Sequence, residues 1–211
     1  MSPYVAVLLG GRSNEREVSL ITGLAVEKAL IESGYRVTSI DVGESMLTLL
    51  NSLDPKPDVV FNALHGRYGE DGCIQGLLNC LDIRYTHSGV LASAMAFNKP
   101  VAKSIMAAAG IKVAEHQIIT YDELLDGTVM SRPYVLKPLS EGSSVGILII
   151  QEDDIFEPKK GDWAFGDKVM VERFIPGREL TVTVMGDRSL AVTEVRTGRS
   201  FYDYDAKYID G

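Results

Sequence analysis

The fold of this chain is decided near its N-terminus by the segment YVAVLLGG, residues 4–11. A continuous apolar run that ends in two glycines is typical of a strand buried on both faces of a parallel sheet. We expect a helix after it, with Ser13 or Asn14 as the N-cap and Gly34 as the stop. The segment therefore predicts the opening strand and helix of an α/β domain.

Strands and helices alternate through the first half of the chain. We expect further strands at residues 36–41 and 59–63, and helices at 73–80, 91–97 and 99–109. This alternation predicts a mostly parallel sheet with helices on both faces.

Short strands dominate the second half of the chain, with few helices between them. They are expected over residues 117–119, 133–137, 146–150, 169–173, 180–185 and 190–195. The predicted fold class is therefore α/β, with a second domain built on a largely antiparallel sheet.

The composition excludes several classes of function. Of the 211 residues, 45% are hydrophobic and 24% are charged, and the formal net charge is −8. This balance argues against nucleic-acid or anionic-membrane partners, and no apolar run is long enough to span a bilayer. Cys73 and Cys80 are expected to be unpaired thiols on one helix, which suits a reducing cytoplasm. The N-terminus does not have the pattern of a signal peptide.

A lysine at a strand end, followed by a loop of glycine and serine, is the clearest candidate for a binding site. Lys137 closes the segment YVLK, and the loop EGSSVG occupies residues 141–146. Backbone N–H groups in such a loop can hold phosphate oxygens while a cation neutralises them. The pairing predicts a nucleotide triphosphate site, and the alternative is a hairpin turn with a solvated lysine.

Five segments that carry recognisable motifs occur in order over nearly the whole chain. They are residues 7–13 with 15–19, 63–67 with 69–72, 85–86 with 88–90, 137–138 with 141–146, and 201–208. Together they resemble the D-alanine–D-alanine ligase family of the ATP-grasp superfamily. The resemblance implies a Rossmann-like substrate domain over residues 1–98, a central ATP-grasp subdomain over 99–177, and the start of a C-terminal ATP-grasp subdomain over 178–211.

The resemblance also implies a reaction, its cofactors and its partners. Two D-alanines would be joined into D-alanyl-D-alanine through an acyl phosphate, for peptidoglycan precursor synthesis. ATP and Mg²⁺ would be required, with Mn²⁺ as a substitute for the metal. The protein would be a cytoplasmic homodimer that binds D-alanine and ATP, without nucleic-acid or membrane partners.

A set of ATP-binding residues follows from the same resemblance. Lys99 and Lys137 would neutralise the phosphates, and the 143–144 amides would cover the terminal phosphates. Glu172 would accept from the adenine amino group, and Glu179 would hold the ribose hydroxyls. The set is Lys99, Lys137, Glu141, Ser143, Ser144, Glu172, Arg173, Phe174, Ile175, Glu179, Tyr202 and Lys207. Without the resemblance, Lys99 would be interpreted as an exposed first-turn lysine and the glutamates as solvated strand-end charges.

The substrate residues implied by the resemblance are Glu15, His65, Ser143 and Tyr208. Glu15 would bind the ammonium group of the first D-alanine, and His65 its carboxylate. Glu15, Ser143 and Tyr208 would form the catalytic hydrogen-bonded triad. The alternative interpretations are a helix-dipole partner for Glu15 and a packed side chain for His65.

One part of the family pattern has no counterpart in these residues. The family's magnesium ligands and its transition-state arginine lie in a C-terminal third that nothing here matches. We therefore expect no metal ligands within this chain and no turnover by the 211 residues alone. The final residues, 207–211, contain no terminal element, and we expect the chain to be a fragment.

Three alternative functions stay open from the sequence. A dinucleotide-dependent oxidoreductase would use the Gly10-Gly11 turn and Asp41 at the end of the second strand, although the spaced G-x-G-x-x-G pattern is missing. A non-catalytic nucleotide-binding module is the second alternative. A different carboxylate–amine ligase of the ATP-grasp superfamily is the third.

Overall fold

The computed structural model describes residues 2–43, 45–127, 129–156 and 166–198. Contacts between Cα atoms divide the chain into two units, of which the N-terminal unit comprises Met1–Lys112 and Leu139–Gly142. The second unit comprises Val113–Pro138 and Ser143–Gly211. The predicted boundaries after residues 98 and 177 concern functional subdomains, and they stay a prediction.

A parallel sheet forms the centre of the N-terminal unit. β1 (Tyr4–Leu9) lies between β2 (Arg36–Asp41) and β3 (Val59–Asn62), and both neighbours run parallel to it. Val7 and Leu8 in the middle of β1 are fully buried. The predicted α/β fold with a central apolar strand is therefore confirmed.

The N-terminal unit also contains helices, and those that were predicted have bounds close to the prediction. The helices are α1 (Arg16–Glu32), α2 (Met46–Ser52), α3 (Cys73–Cys80), α4 (Val90–Phe97) and α5 (Lys99–Ala108). Gly34 follows α1 with φ +84°, which confirms its role at the helix end. The core beneath the helices includes Leu8, Ile40, Val60 and Leu78.

Helix α2 was not predicted, because seven residues are too few to display a helical period. The Ser45 hydroxyl caps it by accepting the N–H of Thr48 at 3.3 Å. Leu49 anchors it in the core at 2% exposure. Tertiary burial of one leucine, together with a serine cap, stabilises a helix that would be marginal alone.

An antiparallel sheet forms the centre of the second unit. Its strands are β4 (His116–Ile119), β5 (Tyr134–Lys137), β6 (Leu148–Ile150) and β7 (Val169–Arg173), in the order β4-β7-β5-β6. Every pairing in this sheet is antiparallel, as predicted. Leu136, Val169 and Val171 are fully buried in its core.

A short helix and a hairpin complete the described part of the second unit. Helix α6 (Tyr121–Leu125) was missed, although Thr120 and Glu123 carry the capping-box pattern that could have indicated it. The N–H of Thr120 donates to the Glu123 carboxylate at 2.7 Å and lowers the pKa of that group. β8 (Glu179–Met185) and β9 (Arg188–Val195) pair as an antiparallel ribbon.

Both cysteines are free thiols, as predicted. None of the helices in the described ranges combines the length and the apolar character that crossing a membrane requires.

Because α1 packs tightly against β1 at Gly23, alanine substitutions at two helical glycines, Gly23 and Gly76, are expected to change stability in opposite directions. A Cβ on Gly23 of α1 would lie 2.4 Å from the Cβ of Leu9. Gly23→Ala is therefore expected to destabilise the N-terminal unit by about 1–3 kcal/mol, the usual cost of overpacking a core. Urea unfolding followed by circular dichroism measures the change.

Gly76→Ala is the matched control for that experiment. A Cβ on this α3 glycine would meet no heavy atom within 4 Å. The substitution is expected to stabilise the protein by about 0.4–1 kcal/mol, because alanine restricts the unfolded chain. Equal destabilisation by both substitutions would contradict the tight α1–β1 contact.

Candidate active site

The turn after β1 depends on its two glycines. Gly10 and Gly11 have φ values of +75° and +82°, in a region that side-chain-bearing residues rarely adopt. A Cβ on Gly10 would also lie 2.3 Å from Oδ1 of Asp41. The turn leads from the centre of the sheet to the start of α1, at the carboxyl edge where open α/β sheets bind ligands.

Glu15 is a buried carboxylate at the start of α1. It is the N-cap residue and is 3% exposed. A Cβ on Gly66 would lie 2.7 Å from its Oε2, and a Cβ on Gly142 would lie 2.1 Å from the same atom. The carboxylate therefore occupies space that two glycines leave open, and the helix N-terminus favours its negative charge.

The predicted cap of α1 by Ser13 or Asn14 is wrong. Glu15 takes the N-cap position without a capping side-chain hydrogen bond. The Ser13 hydroxyl accepts the main-chain N–H of Glu15 at 3.1 Å and donates to the main-chain oxygen of His65 at 2.7 Å. Ser13 thereby links the two residues predicted to hold the two ends of D-alanine.

Two further hydroxyls of α1 contact the chain at the end of β3. Ser19 donates to the main-chain oxygen of Ala63 at 2.7 Å, and the Thr22 hydroxyl lies 3.2 Å from Nε2 of His65. Together with Glu15, they follow the i, i+4, i+7 spacing of one helix face. Sequence reasoning missed both, although this spacing could have indicated a polar stripe along α1.

His65 lines a cavity of about 490 Å³ in the N-terminal unit. Its Nδ1 lies 3.9 Å from Oε1 of Glu70, and Oε2 of Glu70 accepts the N–H of Gly66 at 3.0 Å. Thr22 and Glu70 line the same cavity. The imidazole thus lies beside the Thr22 hydroxyl and beside a Glu70 carboxylate that the N–H of Gly66 holds.

Arg16 ties the start of α1 to the end of β2. Its guanidinium donates to both carboxylate oxygens of Asp41, at 2.7 and 2.6 Å, and to the main-chain oxygen of Gly11 at 3.1 Å. The hydrogen bond from Arg16 lowers the pKa of Asp41. Asp41 therefore stabilises the glycine turn.

Lys99, at the start of α5, has a defined partner. Its Nζ donates to the main-chain oxygen of Glu141 at 2.8 Å, and its N–H donates to that of Leu139 at 3.0 Å. Asn98 caps the helix by accepting the N–H of Val101 at 3.1 Å. The lysine therefore holds the segment 139–142, which belongs to the N-terminal unit and includes the first two residues of the glycine-serine loop.

A second cavity, of about 480 Å³, lies in the antiparallel unit. Val135, Ile147 and Ile149 form part of its apolar lining, which is typical of small-molecule sites. Seven predicted ATP-binding residues line the same cavity, namely Ser143, Ser144, Glu172, Arg173, Phe174, Ile175 and Glu179. The structure thus gathers residues from separate strands and loops around one space.

Lys137 and Glu172 form an ion pair between β5 and β7. Their side chains are only 20% and 14% exposed, so both charges are largely withdrawn from water. Because Glu172 lines the cavity, the pair brings a cation to its edge. Ser143, with φ +51°, and Gly146, with φ +68°, give the adjoining loop the left-handed residues found in anion-binding nests.

The predicted residues Tyr202, Lys207 and Tyr208 lie outside the described residues. Within the described ranges, no group of three or more His, Cys, Asp or Glu side chains could hold a metal ion.

Comparison with known proteins gives consistent matches. The family described as D-ala D-ala ligase N-terminus matches residues 46–88, and D-ala D-ala ligase C-terminus matches residues 105–211. The D-alanine–D-alanine ligase of Rhodospirillum rubrum is 54% identical over 213 residues, covering 100% of this chain and 70% of the relative.

Solved structures agree with these sequence matches. The crystal structure of D-alanine–D-alanine ligase from Bacillus anthracis superposes with a TM-score of 0.77 at 30% identity, covering 97% of this chain and 68% of that one. The same ligase complexed with ATP superposes with a TM-score of 0.75 at 28% identity, covering 95% and 68%.

A parallel unit followed by an antiparallel unit, together with the likeness to solved ligase structures, places the chain among the ATP-grasp ligases. More narrowly, the chain belongs to the D-alanine–D-alanine ligase family. This confirms the predicted fold, family and reaction, the ATP-dependent joining of two D-alanines for peptidoglycan synthesis. The oxidoreductase, the non-catalytic module and the other carboxylate–amine ligases are not favoured.

The Arg16–Asp41 pair predicts a pH-dependent contribution to stability. Because the pKa of Asp41 is lowered on folding, its contribution is present above the ordinary aspartate pKa of about 3.9 and is lost as the pH falls through the lower folded value. Asp41→Asn is expected to cause a small decrease in urea midpoint at neutral pH. The decrease should disappear in strong acid.

Asp187→Asn, in the turn between β8 and β9, makes the same charge change in the other unit and serves as the control. A midpoint difference for Asp41→Asn that persists unchanged at pH values well below 3.9 would contradict the assignment.

Proposed function

We propose that the N-terminal unit binds the first D-alanine and that the antiparallel unit binds ATP. The observation that carries this assignment is the gathering of seven predicted ATP-binding residues around one cavity of about 480 Å³. The two hydrogen bonds through which Ser13 links Glu15 to His65 support the substrate half of the assignment. The predicted division at residues 1–98, 99–177 and 178–211 is part of this proposal.

Glu15 and His65 bind the two charged ends of the first D-alanine in this proposal. A buried carboxylate is a strong partner for an ammonium group, because little water competes for either charge. An imidazole N–H can donate to the substrate carboxylate. A shared anchor, Ser13, keeps the backbones of the two residues at a fixed separation.

The nucleotide occupies the cavity of the antiparallel unit. Glu172 accepts from the adenine amino group, the 173–175 backbone meets the ring edge, and Glu179 accepts from the ribose hydroxyls. Lys137, which contacts Glu172, supplies positive charge at the cavity edge. Ser143 and Ser144 contribute main-chain N–H groups to the phosphates, and Lys99 and Glu141 complete the phosphate contacts.

The reaction then proceeds in two steps. The carboxylate of the first D-alanine attacks the γ-phosphorus, which gives an acyl phosphate and ADP. The amine of the second D-alanine attacks the carbonyl carbon, and inorganic phosphate leaves. Lys99 and Lys137 offset the repulsion between carboxylate and phosphates, while the 141–146 loop keeps water from the acyl phosphate.

Three further residues complete the proposal. Tyr208 joins Glu15 and Ser143 in the hydrogen-bonded catalytic triad, Lys207 contacts the γ-phosphate, and Tyr202 orders their segment.

In this proposal, ATP binds as its Mg²⁺ complex, and Mn²⁺ can replace Mg²⁺. The protein is a homodimer in the cytoplasm. The described residues offer no ligand cluster for the ion, so no step above depends on its position. Two free thiols support a reducing compartment.

Lys137→Met tests the nucleotide half of the proposal. Removing the cation should weaken ATP binding about tenfold or more, the scale of one lost charge-assisted hydrogen bond. Calorimetric titration of ATP into this chain measures the effect. Lys112→Met, which removes an exposed lysine of the N-terminal unit, is the control. Unchanged ATP affinity in Lys137→Met would contradict the assignment.

Glu15→Gln tests the substrate half. Loss of the negative charge should raise the KM for the first D-alanine by about tenfold to a hundredfold and leave the ATP affinity nearly unchanged. Phosphate release from ATP at varied D-alanine, in the complete ligase carrying this sequence, measures it. Glu17→Gln, on the exposed face of the same helix, is the control. Similar kinetic losses in both variants would overturn the role given to Glu15.

A further inference from the structure

Gly142, the second residue of the glycine-serine loop, lies against the Glu15 carboxylate. A Cβ at this position would lie 2.1 Å from Oε2 of Glu15, 3.0 Å from its Cδ and 3.3 Å from its Oε1. Outside residues 141 and 143, these are the nearest heavy atoms that such a Cβ would meet. The space that a side chain would need at residue 142 is therefore filled by the carboxylate.

The backbone conformation does not account for the glycine at this position. Gly66, the other glycine beside Glu15, has φ +66°, and Gly146 in the same loop has φ +68°. Both adopt a left-handed conformation that favours glycine. The φ of Gly142 lies outside this region. Alanine can therefore adopt the same backbone conformation there, and the obstacle to a side chain is the Glu15 carboxylate.

The main chain on both sides of this contact is held by hydrogen bonds or by a helix. Lys99 donates from Nζ to the main-chain oxygen of Glu141 at 2.8 Å, and from its N–H to that of Leu139 at 3.0 Å. Glu15 is the N-cap residue of α1. A side chain added at Gly142 is therefore expected to displace the carboxylate, which ends a flexible side chain, and not the main chain of either residue.

We propose that Gly142 is a positioning residue for the ligase reaction. Because it carries no side chain, the Glu15 carboxylate can occupy the position in which it receives the ammonium group of the first D-alanine. Gly142 acts through Glu15 and does not touch the substrate. The inference rests on the proposed role of Glu15, and it extends the function of the loop from the phosphates to the amino acid.

Steady-state kinetics of the complete ligase carrying this sequence test the inference. Gly142→Ala should raise the KM for the first D-alanine about threefold to thirtyfold, with the KM for ATP little changed. A distorted loop would instead raise the KM for ATP as well, because Ser143 follows directly. Gly43→Ala is the control, since a Cβ on this loop glycine of the same unit would meet no heavy atom within 4 Å. An unchanged KM for D-alanine in Gly142→Ala, or similar rises in both KM values, would overturn the proposal.

A double-mutant cycle shows whether the added methyl group acts through Glu15. Glu15→Ala removes the carboxylate atoms that a Cβ on Gly142 would meet. In that background, Gly142→Ala should change the KM for the first D-alanine by less than about twofold, because the two substitutions then share one cause. An equal effect of Gly142→Ala in the wild-type and Glu15→Ala backgrounds would contradict the inference.

Comparison with Glu15→Gln separates failure of this inference from failure of the role of Glu15. If Glu15→Gln raises the KM for the first D-alanine and Gly142→Ala does not, the inference fails and the role of Glu15 survives. If Glu15→Gln leaves this KM unchanged, the role of Glu15 fails and the inference fails with it.

Discussion

The N-terminal unit depends on holding one carboxylate, that of Glu15, in a buried position at a helix N-terminus. Burying a charge is costly unless dipoles and hydrogen bonds compensate for the lost water. The N-terminus of α1 supplies such a dipole to Glu15, whose carboxylate lies in space left open by Gly66 and Gly142. The glycine turn after β1, held by the Arg16–Asp41 pair, determines where that helix starts. The location of the buried charge therefore follows from backbone geometry in three separate segments.

In the antiparallel unit, two opposite charges lie next to the apolar residues of the cavity and are largely withdrawn from water. Lys137 and Glu172 compensate each other, which avoids an isolated charge in a poorly hydrated cavity. ATP carries both an amino group that can donate to a glutamate and phosphates that attract a lysine. In the proposed complex, the nucleotide therefore satisfies both partners of the pair, and neither side chain is left buried without a counterpart.

The sequence predicted the elements whose signals are local. β1 and β2 were correct because continuous or alternating apolar residues mark strands, and α3 was predicted with its observed bounds. Helices α2 and α6 are too short to show a helical period. The predicted Ser13 cap was wrong because its hydroxyl donates to the main-chain oxygen of His65, 52 residues away. The Lys137–Glu172 pair depends on the register of β5 against β7, which no local pattern reveals. Family motifs identified the candidate residues, whereas the hydrogen bonds that orient them required the structure.

The central claim, that the cavity of the antiparallel unit holds the nucleotide base, is tested most directly by photolabelling. The complete ligase would be irradiated with 8-azido-ATP in the presence and absence of excess ATP, and the modified peptides would be mapped by mass spectrometry. The account predicts ATP-protected labelling within residues 172–179. Protected labelling at the Gly10–Ser13 turn instead would contradict it, because that turn is where a dinucleotide-binding protein would hold its nucleotide.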